Sequence, residues 1–181
     1  PSSICLCHIM PRKFASVPND IIELIKQPDN IGAAFSVRNN LDSAINQIMN
    51  DFLDSLKNEL PDGFTCLTEK QTDWLTTRYY GFTFEYKDWK DFDFKLEFGG
   101  TYLSGLYIGI VRKNTCTKDI RSIDEAKELA KRLNLNRSND NWFWFNPTEP
   151  KYSNWFNAES IQMLLDGSMK QWIIGILTSA M

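Results

Sequence analysis

The sequence is poor in the residues that most often do chemistry: one histidine, His8, and four cysteines, Cys5, Cys7, Cys66 and Cys116. Any imidazole general base must therefore be His8. The cysteine spacing matches no disulfide framework, and a chain of 181 residues does not need one to fold. No apolar run approaches the ~20 residues of a membrane-spanning helix. The first residues lack the charged and apolar regions of a signal peptide. The expectation is a cytoplasmic protein with free thiols and no membrane contact. A basic excess is missing too: 20 Lys and Arg stand against 23 Asp and Glu, and no third of the chain is basic. Phosphate neutralisation supplies most non-specific nucleic-acid affinity, so charge does not support a dedicated nucleic-acid binder. There is no internal repeat and no low-complexity tract.

What is present specifies a scaffold. Hydrophobic residues make up 43% and charged residues 24%, the balance of a folded globular chain. The length suits one domain over residues 1–181, with 1–18 an irregular N-terminal segment where Ile4, Leu6, Ile9 and Met10 offer a short edge strand. Asn19 and Asp20 can cap a short helix bearing Ile21, Ile22, Leu24 and Ile25, which Pro28 should stop. Leu41, Ile45, Ile48, Phe52, Leu56 and Leu60 then fall on one stripe at helical spacing. The stripe predicts a long helix over Asn40–Leu60, capped by Asn39 or Asn40 and ended by Pro61-Asp62-Gly63.

Period two follows. Tyr80, Phe82, Phe84 and Tyr86 alternate with Gly81, Thr83 and Glu85; Phe92, Phe94, Leu96 and Phe98 alternate with Asp91, Asp93, Lys95 and Glu97. Each set reads as a strand with one face buried and the other in water. Gly99-Gly100 predicts a tight hairpin with positive φ, leading into a strand over Thr101–Val111. A further strand fits Phe64–Leu67. Ser122 with Glu125 reads as a capping box opening a helix lined by Ile123, Ala126, Leu129, Ala130 and Leu133, with Glu128 and Arg132 spaced to pair. Two helices close the chain, Asn157–Asp166 and from Ser168 onward, the latter with a second box at Ser168 and Gln171. The fold class is α+β: an antiparallel β-meander of three to five strands against a long helix, with C-terminal helices.

The candidate chemistry is sparse. Cys5-Leu6-Cys7-His8 lacks the two-residue spacing that lets paired cysteines reach one zinc ion. Neighbours on an extended chain also point apart, which disfavours a Cys–His nucleophile. Glu85-Tyr86-Lys87 fits the (D/E)-x-K half of a metal-dependent nuclease signature, with Asp62 as the upstream acid and Mg or Mn as the ion. The same short pattern recurs at Asp93-Phe94-Lys95, and the carboxylates of that strand read as a solvated face. The basic residues Lys118, Arg121, Lys127, Lys131, Arg132 and Arg137 are mixed with acids and read likewise. The most distinctive segment is Trp142-Phe143-Trp144-Phe145, followed by Pro150, Tyr152 and Trp155. Exposed, Trp142, Trp144, Tyr152 and Trp155 would form a binding surface; buried, they would fill a shallow core, and the interleaved prolines favour burial.

The order of parts from residue 40 onward resembles the C-terminal region of bacterial PD-(D/E)xK nuclease-like proteins. It runs from the long helix through the meander ending in Tyr107-Ile108-Gly109-Ile110 and the capped helix. Trp142-Phe143-Trp144-Phe145, Pro150-Lys151-Tyr152-Ser153-Asn154-Trp155 and a helix pair complete it. The resemblance implies an accessory domain, a fragment or a stand-alone relative, whose catalytic carboxylates and lysine would lie upstream in a nuclease-type domain. The expected function is therefore non-catalytic recognition of a protein or nucleic-acid partner, without a cofactor. Two readings stand beside it: a small nuclease using Asp62, Glu85 and Lys87, and a stand-alone phage or defence-system interaction protein.

Overall fold

A computed structural model describes residues 19–119, 122–139 and 142–181 of the chain. The edge strand suggested for Ile4–Met10 and the Cys5–His8 cluster lie outside the described residues, as does Arg121. Contacts divide the chain after Leu41 into two compact units, Pro1–Leu41 and Asp42–Met181.

In the first unit, α1 (Asn19–Lys26) is followed by the start of α2 (Pro28–Asn58). Pro28 ends the one helix, as its ring requires, but it also opens the next. At the first helical position its missing N–H has no partner to lose and its fixed φ is already helical. The Asn30 side-chain amide donates to Leu24 O at 3.0 Å, satisfying a carbonyl at the end of α1. The long helix thus begins well before Asn40. Asn39 and Asn40 are mid-helix rather than caps, and Asn40 Nδ2 donates back to Ser36 O at 2.8 Å. The earlier start left no stripe in the sequence, because Ile31, Phe35, Val37 and Leu41 are all exposed.

The second unit is a five-stranded antiparallel sheet in the order β1-β2-β3-β4-β5, a complete meander. Its strands are β1 (Phe64–Cys66), β2 (Tyr80–Tyr86), β3 (Phe92–Phe98), β4 (Leu106–Arg112) and β5 (Trp144–Pro147). Helix α3 (Asp124–Arg132) is inserted before β5, and α4 (Pro150–Ser153), α5 (Ala158–Leu165) and α6 (Ser168–Ala180) follow it. One face of the sheet is the core. Phe82, Phe84, Phe92, Phe94 and Leu96 are fully buried there, with Met49, Leu53 and Leu56 of α2 and Met169, Ile173 and Leu177 of α6. Phe52 meets Phe82 edge-on at 5.8 Å and Trp155 at 5.7 Å, so helix and sheet interlock through rings. Each such ring contributes about 1.5–3 kcal/mol by leaving water.

Polar residues of α2 hold the loop between β1 and β2. Asn50 Oδ1 accepts from Gln71 N at 3.1 Å and Trp74 Nε1 at 2.9 Å, while its Nδ2 donates to Gln71 O at 2.8 Å. Asn46 Oδ1 accepts from Trp74 N at 2.7 Å.

Three local expectations are corrected. The β3–β4 turn is a seven-residue loop over 99–105, and its left-handed positions are Tyr102, Leu103 and Gly105, not the glycine pair. The ladder continues into this loop through Gly100 N donating to Ser104 O at 3.0 Å. Neither capping box forms. Ile123 is the N-cap of α3, and the Ser122 hydroxyl donates to Asp119 O instead. Ahead of α6, Asp166 Oδ1 accepts from Ser168 N at 2.9 Å and its hydroxyl at 2.7 Å, taking the role expected of Gln171. Arg132 reaches Ala180 O at 3.2 Å, tying α3 to the end of α6.

The largest correction concerns β3. Its second face is not solvated: Asp93 and Glu97 are each only 8% exposed.

Candidate functional site

The second face of the sheet is the floor of a groove of about 1120 Å³. β3 is the middle strand, and period two aims Asp93, Lys95 and Glu97 at this face while Phe92, Phe94, Leu96 and Phe98 fill the core. The neighbours in register make room for those charges. Lys95 lies between Thr83 and Gly109, and Glu97 between Gly81 and Tyr107. A Cβ on Gly109 would lie 2.3 Å from Trp144 O, so only glycine fits where β4 and β5 meet. Loops raise the walls: Tyr79 before β2, Lys113 to Thr115 after β4, and Trp142 and Phe145 entering β5.

Two ion-pair systems cross the floor. Lys95 pairs with Glu97, and its ammonium is 6.0 Å from the Trp142 ring. Lys113 pairs with Glu85, donates to Trp89 O at 2.9 Å, and sits 3.5 Å from Asp93 Oδ1. Burial works to lower the Lys113 pKa, but Glu85 and Asp93 outweigh it and the net shift is upward. Asp93 moves the other way from most paired acids. Burial raises its pKa, and the opposing pull of Lys113 does not restore it. The neighbouring Glu85 charge adds to the rise, and the Lys113 ammonium stands 3.5 Å from the buried Asp93 Oδ1, too far for a well-formed hydrogen bond. A buried acceptor left without a donor is destabilising and rare.

Tyr79 marks the rim. It holds φ 57, a left-handed value that a bulky residue adopts at a cost, and its side chain is largely in solvent at 62% exposure. Its backbone N–H donates to Phe98 O at 2.9 Å, which fixes that conformation. The Arg78 guanidinium lies 5.1 Å from its ring.

The residues singled out in the sequence are distributed unevenly. Asp62 is exposed in the turn before β1, and Lys87 is exposed in the turn after β2; neither lines the groove. Glu85 does line it, bound to Lys113. Trp155 is fully buried, with rings of Phe52, Phe82 and Phe98 within 5.1–5.7 Å, and has no surface for a partner. Tyr152 stacks on Trp172 at 4.2 Å and 10°, and Trp144 is half-buried against the core. Trp142 is 7% exposed but lines the groove. The aromatic segment is thus mainly core, with Trp142 and Phe145 serving as a wall.

Charged and aromatic groove residues absent from the sequence-derived candidates include Tyr79, Asp93, Lys95, Glu97, Lys113 and the exposed Arg112 and Arg137. A usable signal existed: Gly81, Thr83 and Gly109 are too small to cover a sheet face, and the charges facing them are of both signs. Among the described residues, no group of three or more His, Cys, Asp or Glu side chains is placed to hold a metal ion. Nor is any helix among them long and apolar enough to cross a membrane. No family model, curated protein or solved structure matches the chain.

Proposed function

We propose that the protein is a non-catalytic recognition domain, that it takes hold of its partner in the groove on the open face of its sheet, and that this partner is a protein. The observation that carries this reading is Asp93: a buried acceptor without a donor, on the floor of a walled cavity. Such an arrangement is unfavourable in the free protein and is relieved when a ligand supplies the donor.

The electrostatics support binding over catalysis. Glu97 and Glu85 are each bound to an ammonium, and the place between Glu85 and Asp93 where a cation would bridge them is taken by Lys113. Of the four cations lining the groove, Lys95 and Lys113 are neutralised within it, and the chain as a whole, with 20 Lys and Arg against 23 Asp and Glu, carries no basic excess, which favours a protein over a nucleic acid. Kinship with the C-terminal region of nuclease-like proteins is part of the proposal and rests on the order of parts along the chain. The buried free thiols of Cys66 and Cys116 fit a cytoplasmic setting.

The test is partner capture by the full chain compared with Asp93→Asn and Tyr79→Ala, each checked for an unchanged circular dichroism spectrum. A partner retained by the wild type and lost by both groove variants supports the reading. Equal capture by all three contradicts it, as does Mg- or Mn-dependent DNA cleavage abolished by Glu85→Ala.

A further inference from the structure

We infer that two copies of this chain associate through the helices of its first unit, apolar surface to apolar surface. The inference is independent of the groove and of what the groove binds.

Exposure is the first argument. All of α1 from Ile21 onward is exposed, including Ile21, Ile22, Leu24 and Ile25, whose spacing puts them on one side of the helix. At the start of α2, Ile31 and Phe35 are neighbours one turn apart, as are Val37 and Leu41, and these too are exposed. Gln27 joins the helices: its N–H donates to Leu24 O at 3.4 Å, and its carbonyl accepts from Asn30 N at 3.0 Å and Ile31 N at 3.1 Å. A Cβ on Gly32 would meet nothing within 4 Å, so the space beside Ile31 is open as well.

Stability is the second. With 8 residues, α1 falls short of the ~12–15 at which an isolated helix is even marginal in water. Short helices persist by burying an apolar side, and one copy of the chain leaves that side unburied.

Area selects the occupant. Exposed by 37–65%, these side chains leave on the order of 700 Å² of apolar surface, above the ~300–600 Å² of the largest patch on a typical monomer. Two such surfaces joined bury roughly 1,400 Å², inside the ~1,200–2,000 Å² of stable protein interfaces.

Charge agrees. A two-fold interface sets each charge against its own copy, so it tolerates little net charge. Glu23 is already closed by Lys26 at 2.7 Å, and residues 30–37 carry no charge. A membrane surface fits less well, because an interfacial helix carries Lys and Arg along its polar side. From residue 19 to 41 the only cations are Lys26, which is paired, and Arg38.

The test is sedimentation equilibrium of the full chain from about 1 to 100 μM, beside Leu24→Asp, Phe35→Asp and the control Leu165→Asp. Leu165 is 63% exposed on α5, so a charge there reports general surface stickiness. Near-ultraviolet dichroism of the buried Trp74 and Trp155 checks that each variant keeps its core. The expected result is a wild-type dimer whose dissociation constant rises at least tenfold in Leu24→Asp and in Phe35→Asp, and is unchanged in Leu165→Asp. A dimer indifferent to both helix variants overturns the inference, and so does a chain that stays monomeric at 100 μM. In that monomer, a melting temperature lowered by Phe35→Asp would show the surface covered within one chain. Co-sedimentation with phosphatidylcholine–phosphatidylserine vesicles, lost in Phe35→Asp, would show a lipid occupant instead.

Discussion

The two faces of this sheet are built from the same strands by opposite rules. On one face Phe82, Phe84, Phe92, Phe94 and Leu96 are sealed in the core, with Phe82 packed against the rings of Phe52 and Trp155. On the other, alternate residues of the same strands are charged, glycine or threonine, and two lysines are held by three carboxylates. The first face is satisfied and closed. The second is nearly as buried at Asp93 and Glu97, yet it leaves an acceptor unfilled and a cavity open. Burial alone therefore does not separate core from site; satisfaction does.

The contrast is broken most severely from the closed face. Trp155→Ala should destabilise by about 3–5 kcal/mol, the range for truncating a fully buried aromatic ring, measured by urea unfolding. An effect below about 1 kcal/mol would show that the segment is not core and would return Trp155 to the candidate surface. On the open face, Lys113→Met should destabilise by about 1–3 kcal/mol at neutral pH, less than a fully buried pair because Glu85 is 43% exposed. The sign with pH follows from linkage. The raised Lys113 pKa means its contribution is complete below the ordinary lysine value and is lost as pH rises through the folded one. The penalty of the variant should shrink in acid, as Asp93, whose pKa is raised by burial, becomes protonated and no longer needs the ammonium. The smallest effect belongs to the rim. Tyr79→Gly should raise stability by up to about 1 kcal/mol by relieving the left-handed backbone, and weaken ligand binding at the same time.

Much of the closed face was legible. Ile45, Phe52 and Leu56 announced the packing side of α2, and the four apolar residues from Phe92 to Phe98 announced the inward side of β3; all are buried. The β2-β3-β4 part of the meander followed from strands joined by loops too short for a crossover, whereas β5 lies beyond α3 and its residues read only as an aromatic segment. The open face was not legible, for a physical reason. Alternating charges on a strand look the same whether water or a walled groove lies above them, and the walls come from residues 113–115 and 142–145, far away in sequence. The caps failed for a related reason: Ser122 and Ser168 had other partners within reach, at Asp119 and Asp166, that spacing alone does not reveal. Pro28 was ambiguous because the same ring ends one helix and begins another.

The central claim is that Asp93 is kept on the groove floor for a ligand and at the expense of the fold. Its raised pKa gives the sign: stability is greatest below the unfolded carboxylate pKa and falls as pH rises through the folded one. The decisive measurement is the melting temperature of Asp93→Asn from pH 4 to pH 8, taken with its ligand affinity. The account predicts a variant more stable by about 2–4 °C at pH 8, as roughly 1 kcal/mol does for a chain of this size, with the gain vanishing towards pH 4 and binding lost. A variant less stable than the wild type at pH 8, or one that binds as tightly, would contradict it.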